Sequence, residues 1–460
     1  MSLLNNESDS STGTSSTESL SLVKKLLDEP LTEDSSCDES NSNLIEACAI
    51  HVPVVISTLS VERKLPHGGS KFGRVYIRRD RKKRHDIIFS DYFKGEQSKY
   101  TPDTFRRRFR MDINLFKRIL QAVEGYGNYF TQKVDAAGNM GLSPLQKVVA
   151  AVRMLAYGCS ADSLDEYLQI GESTAIESLK KFCDAIIGLF EEQYLRRPNK
   201  SDISLLLAEG ESRGFPGMLG SLDCMHWHWE NCPTAWHGTH TNGFKKVPTL
   251  ILEIVAGHNL WIWHAFFGMA GTNNDVNVLD RSPLFDDIVN DVAPACEFIV
   301  NGHQYNMGYY LSDGIYPQYA TLVQTISQPC SMKEKLFAKR QESVRKDVER
   351  AFGVLQSRWR IVKGPARMWS ATDLGKIMKT CIILHNMIIE DESGHGINPE
   401  NWQPEKEEVL QNVTLEHDFT FLMSMMNIRM KKVQSKSTHI DLKRDLINHL
   451  WELYGSNQVD

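Results

Sequence analysis

The chain has 460 residues, of which 41% are hydrophobic, 24% charged and 9% aromatic, and its formal net charge is −6. This length favours two or three domains with a sizeable core, and the near balance of charge excludes a uniformly basic, histone-like protein. No apolar run approaches the roughly 18 residues of a membrane span, and no basic region precedes an apolar N-terminal stretch, so neither a membrane protein nor a secreted one is expected. Nine cysteines without a CxxC pair indicate reduced thiols in a cytosolic or nuclear compartment.

Charge is distributed unevenly along the chain. Residues 1–50 contain ten acidic side chains, two lysines and twelve serines. Such a composition buries too little apolar area to offset the entropy of ordering, so we expect a disordered acidic, Ser-rich tail over 1–60. Residues 51–130 contain eighteen Lys and Arg against eight Asp and Glu. We interpret 61–142 as a basic linker and helical lead-in to the folded part.

A dense basic cluster lies in this lead-in. It is typical of a nuclear-import signal or a phosphate-contacting patch, and an ordinary solvated face is the alternative. The import candidates are Arg78, Arg79, Arg81, Lys82, Lys83 and Arg84.

Residues 143–200 predict a small helical domain with the plan of a helix-turn-helix. Ser143 to Gln146 has the pattern of a capping box that opens the first helix, and Thr174 to Glu177 has the same pattern at the third. Any small bundle gives this plan, so DNA contact and plain bundle packing both remain open. Residues 143–190 hold four basic and six acidic side chains, which argues against strong DNA binding by this domain alone.

From 210 to 395 the pattern changes to strands followed by helices, which predicts an α/β core. After it, 396–460 is interpreted as a C-terminal extension with a terminal helix. Strands are expected at 218–229, 250–255, 260–267, 298–300 and 309–311, and helices at about 341–359 and 371–390.

Three acidic residues stand out by their positions. Asp223 interrupts an apolar strand, Asp313 ends a later strand, and Glu349 lies in a helix with an apolar stripe. Carboxylates that converge from different elements are the ligands a pair of hard divalent cations needs. For Asp313 alone the alternative is an Asp-Gly turn, and for Glu349 alone it is an ion pair with Arg345 four residues earlier.

A second cluster in the same region carries zinc-ligand residue types. Its spacing matches no tetrahedral finger, so packed or hydrogen-bonded histidines are favoured. The residues are Cys224, His226, His228, Cys232, His237 and His240.

Long ordered strings within about 90–395 make the chain resemble the plant branch of the PIF/Harbinger transposases. The strings are residues 217–227, 231–236, 260–268, 271–275, 306–317, 345–353 and 384–387, which include GMLGSLDCMHW, NCPTAW, GTNND, NMGYYLSDGIYP, RKDVERAFG and LHNM.

The resemblance implies a ribonuclease H-like catalytic core with a DDE triad formed by Asp223, Asp313 and Glu349. These residues would bind two Mg²⁺ or Mn²⁺ ions. Asp275 in the Asn-Asn-Asp string is a candidate accessory residue, and a structural role in its loop is the alternative. Eleven Lys and Arg against four Asp and Glu in 333–367 suit a catalytic helix beside DNA. The candidates for phosphate contact are Arg345, Lys346, Arg350, Arg358 and Arg360.

Two functions follow from the resemblance. One is a DDE transposase or transposase-derived nuclease that cuts DNA at element ends and joins it to target DNA. The other is a domesticated, catalytically silent relative that acts as a nuclear interaction protein in chromatin or transcription. The resemblance further implies a Myb/SANT-like partner protein that helps nuclear recruitment. We therefore expect a nuclear location, with the cytoplasm as an additional location when the partner is absent. The oligomeric state stays open, with a homo-oligomer as one alternative.

Overall fold

The structure of the chain, a computed structural model, describes residues 77–136, 138–394 and 419–455. The predicted acidic tail, and residues 396–418 and 456–460 of the predicted extension, lie outside the described residues. The part described from Arg78 onward belongs to one unit. No helix within the described ranges is long and apolar enough to cross a membrane.

The described residues form a mixed α/β structure in which seven helices precede the first strand. The helices are α1 (Arg81–Tyr92), α2 (Pro102–Phe109), α3 (Ile113–Tyr126), α4 (Pro144–Tyr157), α5 (Ser163–Leu168), α6 (Glu172–Tyr194), α7 (Lys200–Ser212), α8 (His237–His240), α9 (Asp275–Leu279), α10 (Asp286–Asn290), α11 (Met332–Arg358), α12 (Arg360–Lys363), α13 (Ala371–Ser393), α14 (Phe419–Val433) and α15 (Lys436–Tyr454). The strands are β1 (Met218–His228), β2 (Thr249–Ala256), β3 (Ile262–Ala270), β4 (Phe298–Val300), β5 (His303–Tyr305), β6 (Tyr309–Ser312) and β7 (Leu322–Gln324).

A five-stranded mixed sheet has the strand order β3-β2-β1-β6-β7. The pairs β1–β2 and β2–β3 are antiparallel, whereas β6 pairs in parallel with both β1 and β7. All eight residues of β2 are buried, because helices cover the sheet: α11 contacts β1 and β2, and α13 contacts β3. The five predicted strands are confirmed, and β5 and β7 are additions.

The helices before the sheet form a bundle around stacked aromatic rings, among them Phe105 and Phe109 with centroids 4.4 Å apart. The capping box at Ser143 is confirmed, since its side chain accepts from the Gln146 N–H while the Gln146 side chain accepts from the Ser143 N–H. The second predicted box is wrong. Helix α6 starts at Glu172 after an extended Gly171, so Thr174 and Glu177 lie inside the helix.

This bundle and the sheet share one hydrophobic cluster that runs from Ile88 to Ile389. Helix α6 contacts both α4 and α13, so the third helix of the predicted helix-turn-helix is packed on two sides. The domain boundary predicted between residues 200 and 210 stays a prediction, because the segments on both sides of it contribute to this one cluster.

One buried side chain links the two parts. Asn386 of α13 is fully buried, and its amide oxygen accepts from the Ile262 N–H at 2.9 Å. Its amide nitrogen donates to the carbonyls of Tyr194, at 2.7 Å, and Ile262, at 2.8 Å. Backbone groups at the end of α6 and at the start of β3 thus have the same residue as their hydrogen-bond partner.

We expect Asn386→Ala to lower the free energy of unfolding by about 2–4 kcal/mol, because it leaves three backbone groups without partners in a dry interior. Urea unfolding followed by tryptophan fluorescence measures the loss. Asn290→Ala, at an exposed position, is the matched control and should change stability by less than about 0.5 kcal/mol. Equal stability of the two variants would contradict the role assigned to Asn386.

Candidate active site

Two of the predicted carboxylates belong to neighbouring strands: Asp223 lies on β1, and Asp313 comes directly after β6. Ser221 of β1 pairs with Leu311 of β6 in parallel register. Continued by two residues, this register sets Asp223 beside Asp313, on the same face, because the side-chain period of a strand is two. Asp313 follows β6 directly, and its Oδ1 accepts from the Ile315 N–H at 2.6 Å. The turn interaction considered as an alternative for Asp313 is thus present.

Glu349 is linked to Asp223 by an arginine that contacts both carboxylates. Arg345 Nη2 lies 2.8 Å from Glu349 Oε1, and Arg345 Nη1 lies 3.6 Å from Asp223 Oδ2. Because both contacts use one planar guanidinium, the two carboxylate oxygens lie within roughly 9 Å of each other. The ion pair between Glu349 and Arg345 considered from the sequence is present, and it is shared with Asp223.

Burial and like charge disturb the ionisation of Asp223. Burial is the main cause that raises its pKa to about 6, and the charges of Asp275 and Asp313 raise it further. The Cys224 N–H, which donates to Asp223 Oδ1 at 2.8 Å, and the nearby Arg345 oppose this rise. Asp223 is therefore an acid whose negative charge is only partly compensated by the protein.

Asp275 belongs to the same electrostatic cluster. It is the first residue of α9, and Asn274 caps that helix by accepting from the Asn277 N–H. Burial raises the pKa of Asp275, and the charge of Asp313 adds to the rise. The accessory residue suggested by the Asn-Asn-Asp string thus lies close enough to the candidate site to influence Asp223 electrostatically.

A buried acid beside the site was missed by sequence reasoning. Glu253 of β2 lies opposite Cys224 of β1 and is fully buried. Its Oε1 lies 3.2 Å from His264 Nε2, and its Oε2 has no hydrogen-bond partner among the described residues. The signal was available, since Glu253 is the one charged residue in an otherwise apolar strand.

Oxygen donors at this site suit a hard divalent cation, and a cation would offset the crowded charges of Asp223, Asp275 and Asp313. These side chains do not form a complete set of metal ligands, however. Within the described ranges no three His, Cys, Asp or Glu side chains form a ready-made metal site. Arg345 lies between Asp223 and Glu349, so metal binding by both requires this guanidinium to move aside.

The five nominated basic residues have different surroundings. Arg350 donates to Asp347 at 2.7 Å. Arg358 donates to the His385 carbonyl and to Glu392, so its guanidinium holds α11 against α13. Lys346 and Arg360 are exposed, and no ion pair involves them within the described residues.

The histidines of the second cluster make separate hydrogen bonds. His226 Nδ1 lies 3.0 Å from Thr249 Oγ1, and His237 Nε2 lies 3.0 Å from the Cys232 carbonyl. His240 Nδ1 lies 2.9 Å from Thr239 Oγ1. This agrees with the prediction of packed or hydrogen-bonded histidines.

Comparison with known proteins places the chain in a class. Residues 192–396, which contain all three predicted site acids, match the family described as plant transposon protein. Residues 85–124 match a domain of unknown function. No solved structure matches the chain significantly.

A curated relative agrees with this class. Protein ALP1-like of Arabidopsis thaliana is 26% identical over 302 residues, which are 63% of this chain and 72% of the relative. The resemblance found in the sequence is confirmed: residues 192–396 are similar to plant transposon proteins, and the curated relative supports a plant Harbinger-type transposase as the family that the chain resembles.

We expect Asp223→Asn to stabilise the metal-free protein above pH 6. A folded-state pKa of about 6 against 3.8 unfolded means that the folded protein binds the extra proton, so wild-type stability falls as pH rises from about 4 to 6. The variant lacks this loss and should gain about 1–3 kcal/mol at pH 7, with no gain at pH 3.5. Urea unfolding in EDTA across this pH range measures the difference.

Asp280→Asn, at an exposed position, is the matched control and should follow the wild-type pH profile. A variant at Asp223 that is less stable than wild type at pH 7 would show that the ionised carboxylate stabilises the fold.

Proposed function

We propose that this chain is a metal-dependent DNA nuclease of the DDE transposase type, which cleaves and joins phosphodiester bonds at element ends and target DNA. The observation that carries the proposal is the acidic cluster on β1 and β6. Asp223 and Asp313 share a level on parallel strands, and Glu349 shares Arg345 with Asp223. The similarity to plant transposon proteins supports the same reading.

The strand order supports a ribonuclease H-like core. Three antiparallel strands followed by two that run parallel to the first, with helices on the faces, is the arrangement the resemblance implies for the catalytic part. In this proposal the core corresponds to 210–395, and the preceding helices at 143–200 act as a supporting domain. The first and third catalytic acids come from the longest strand and the longest helix of the core, which are rigid elements.

Asp223, Asp313 and Glu349 would hold the metal, with Asp275 in an accessory position. Two bound Mg²⁺ or Mn²⁺ ions would supply an activated water or 3′-hydroxyl and a charge that stabilises the leaving oxygen. Arg345 compensates part of the negative charge of Asp223 and Glu349 in the metal-free protein. Since it lies one helical turn before Glu349, it is also the cation best placed to contact the phosphate beside the site.

Recognition of the element ends by a separate Myb/SANT-like protein is part of the proposal. Helix α6 would be the reading helix of a helix-turn-helix, yet its exposed N-terminal part carries Glu172 and Glu177. Carboxylates at this end repel phosphate, so α6 is a poor reader of DNA. A homo-oligomer that holds two element ends completes the proposed assembly.

We expect Asp223→Asn, Asp313→Asn and Glu349→Gln each to reduce Mg²⁺-dependent strand cleavage by about two orders of magnitude or more, because each removes a metal ligand. Cleavage of labelled element-end DNA by the purified chain, with and without the partner protein, measures activity. Binding of Mn²⁺, followed by electron paramagnetic resonance, gives a readout independent of turnover.

Glu342→Gln is the matched control, because Glu342 is an exposed acid on the same helix. Cleavage that persists in EDTA, or a Glu349→Gln variant as active as this control, would refute the proposed function.

Nuclear entry is proposed to depend on the basic cluster at 78–84. Arg79 is paired with Asp165, and Arg81 donates to the Met140 carbonyl, so these two hold the start of α1 on the bundle. Arg78, Lys82 and Lys83 are exposed. These three are the cations that a receptor for import can reach.

We expect replacement of Arg78, Lys82 and Lys83 by Gln to abolish nuclear accumulation of the tagged chain, since it removes accessible charge and spares the structural Arg79. Fluorescence microscopy measures the nuclear fraction. The matched control removes equal charge from exposed positions outside the cluster, at Lys94, Lys99 and Lys117. Unchanged nuclear accumulation of the first variant would exclude the cluster as the import signal.

A further inference from the structure

A loop that follows the catalytic helix is fixed to the end of β1. The Ala366 N–H donates to the His228 carbonyl at 2.8 Å, and the Glu230 N–H donates to the Ala366 carbonyl at 3.0 Å. Side chains add three bonds, from Trp227 Nε1 to the Gly364 carbonyl, from Trp229 Nε1 to the Met368 carbonyl and from Asn231 Nδ2 to the Arg367 carbonyl. We call residues 360–369 the basic strap.

The outward side of the basic strap combines positive charge with one large aromatic ring. Arg360, Lys363 and Arg367 are exposed, and in the described part of the chain no carboxylate forms an ion pair with them. The Trp369 residue is 71% exposed, although two other tryptophans, Trp227 and Trp229, are buried directly beneath the strap. Val362 and Ala366 anchor the strap in the core, whereas the exposed Trp369 side chain takes no part in that packing.

The strap borders a groove of about 850 Å³ against the helical bundle. This volume lies within the range of ligand sites, roughly 300–1,000 Å³. Lys180 on its wall is neutralised by Asp373 at 2.7 Å, and Glu172 is a further acid of the lining. The positive charge that is free for a ligand is therefore concentrated on the strap.

We propose that the basic strap binds a DNA strand that carries an unpaired base, with Trp369 stacked on that base and the three strap cations on the flanking phosphates. Base–aromatic stacking is tolerant of sequence, and it requires a base face that a closed duplex does not offer. The strap begins two residues after α11 ends, and Arg358 lies roughly 14 Å along that helix from Glu349. The inference rests on the proposed function, because DNA is its substrate there and staggered cuts in the two strands leave unpaired ends.

The test uses the purified full-length chain and two labelled DNAs, a blunt duplex and the same duplex with a short unpaired 3′ tail. We expect Trp369→Ala to weaken binding of the tailed DNA about tenfold while binding of the blunt duplex changes less than twofold. Trp369→Phe, which keeps a stacking face, should retain most of the affinity. Phe244→Ala removes an aromatic side chain that is 94% exposed elsewhere and is the matched control.

Replacement of Arg360, Lys363 and Arg367 by Gln should reduce the slope of log affinity against log salt by about two to three, as three phosphate contacts are lost. An equal effect of Trp369→Ala on both DNAs, or no effect, would overturn the inference. If wild type binds and cleaves DNA in that case, the proposed function stands and only the role of the strap fails. If wild type binds neither DNA, both fail, and an acidic protein becomes the partner to seek for this surface.

Discussion

Parallel pairing of β1 with β6 is the constraint on which the candidate site depends. The register Ser221 to Leu311 leaves no choice about the level of the two aspartates that follow, since a strand advances by fixed steps. A slip of one residue would turn Asp313 to the opposite face and separate it from Asp223. Gln341 of α11 helps to hold β6 in place, because its amide nitrogen donates to the carbonyls of Ser312 on β6 and Val323 on β7. The helix that carries Glu349 is thus locked to the strands that carry its partners.

Because these carboxylates lie close together, their mutual repulsion is unfavourable when no cation is bound. Burial raises the pKa values of Asp223 and Asp275, the charge of Asp313 adds to both rises, and Arg345 is the cation that the structure sets against Asp223. One guanidinium shared by two carboxylates compensates their negative charge only in part, because the contact between Arg345 and Asp223 is long, at 3.6 Å. An excess of buried negative charge is characteristic of sites that are completed by a ligand. The charge arrangement and the similarity to plant transposon proteins therefore support the same proposal.

Local patterns predicted much of this structure. Apolar runs located the strands around Asp223 and Asp313, and the helical stripe around Glu349 located α11, although that helix begins about nine residues earlier than expected. The three-residue strand β7 was not predictable, because it is defined by its neighbour β6 and not by its own residues. The capping pattern at Thr174 failed for a similar reason, since Gly171 and Glu172 offered a start one turn earlier. The charge of Glu253 within a mostly apolar strand was visible in the sequence, but its position opposite Cys224, beside the candidate site, follows only from the sheet register.

The strings that make the chain resemble a family have unequal physical roles. Asn386 and His385 in the string Leu384–Met387 hold α13 to β3 and α6, and burial, aided by Arg358, lowers the pKa of His385 to about 3 and keeps it neutral. Those residues would be needed in an active enzyme and in a catalytically silent relative alike. Asp223 differs, because burial raises the pKa of its carboxyl and so favours its neutral form in the folded protein. In a silent relative this acid would carry a cost without a benefit, whereas in a nuclease its raised pKa is the consequence of grouping the charges that a metal neutralises.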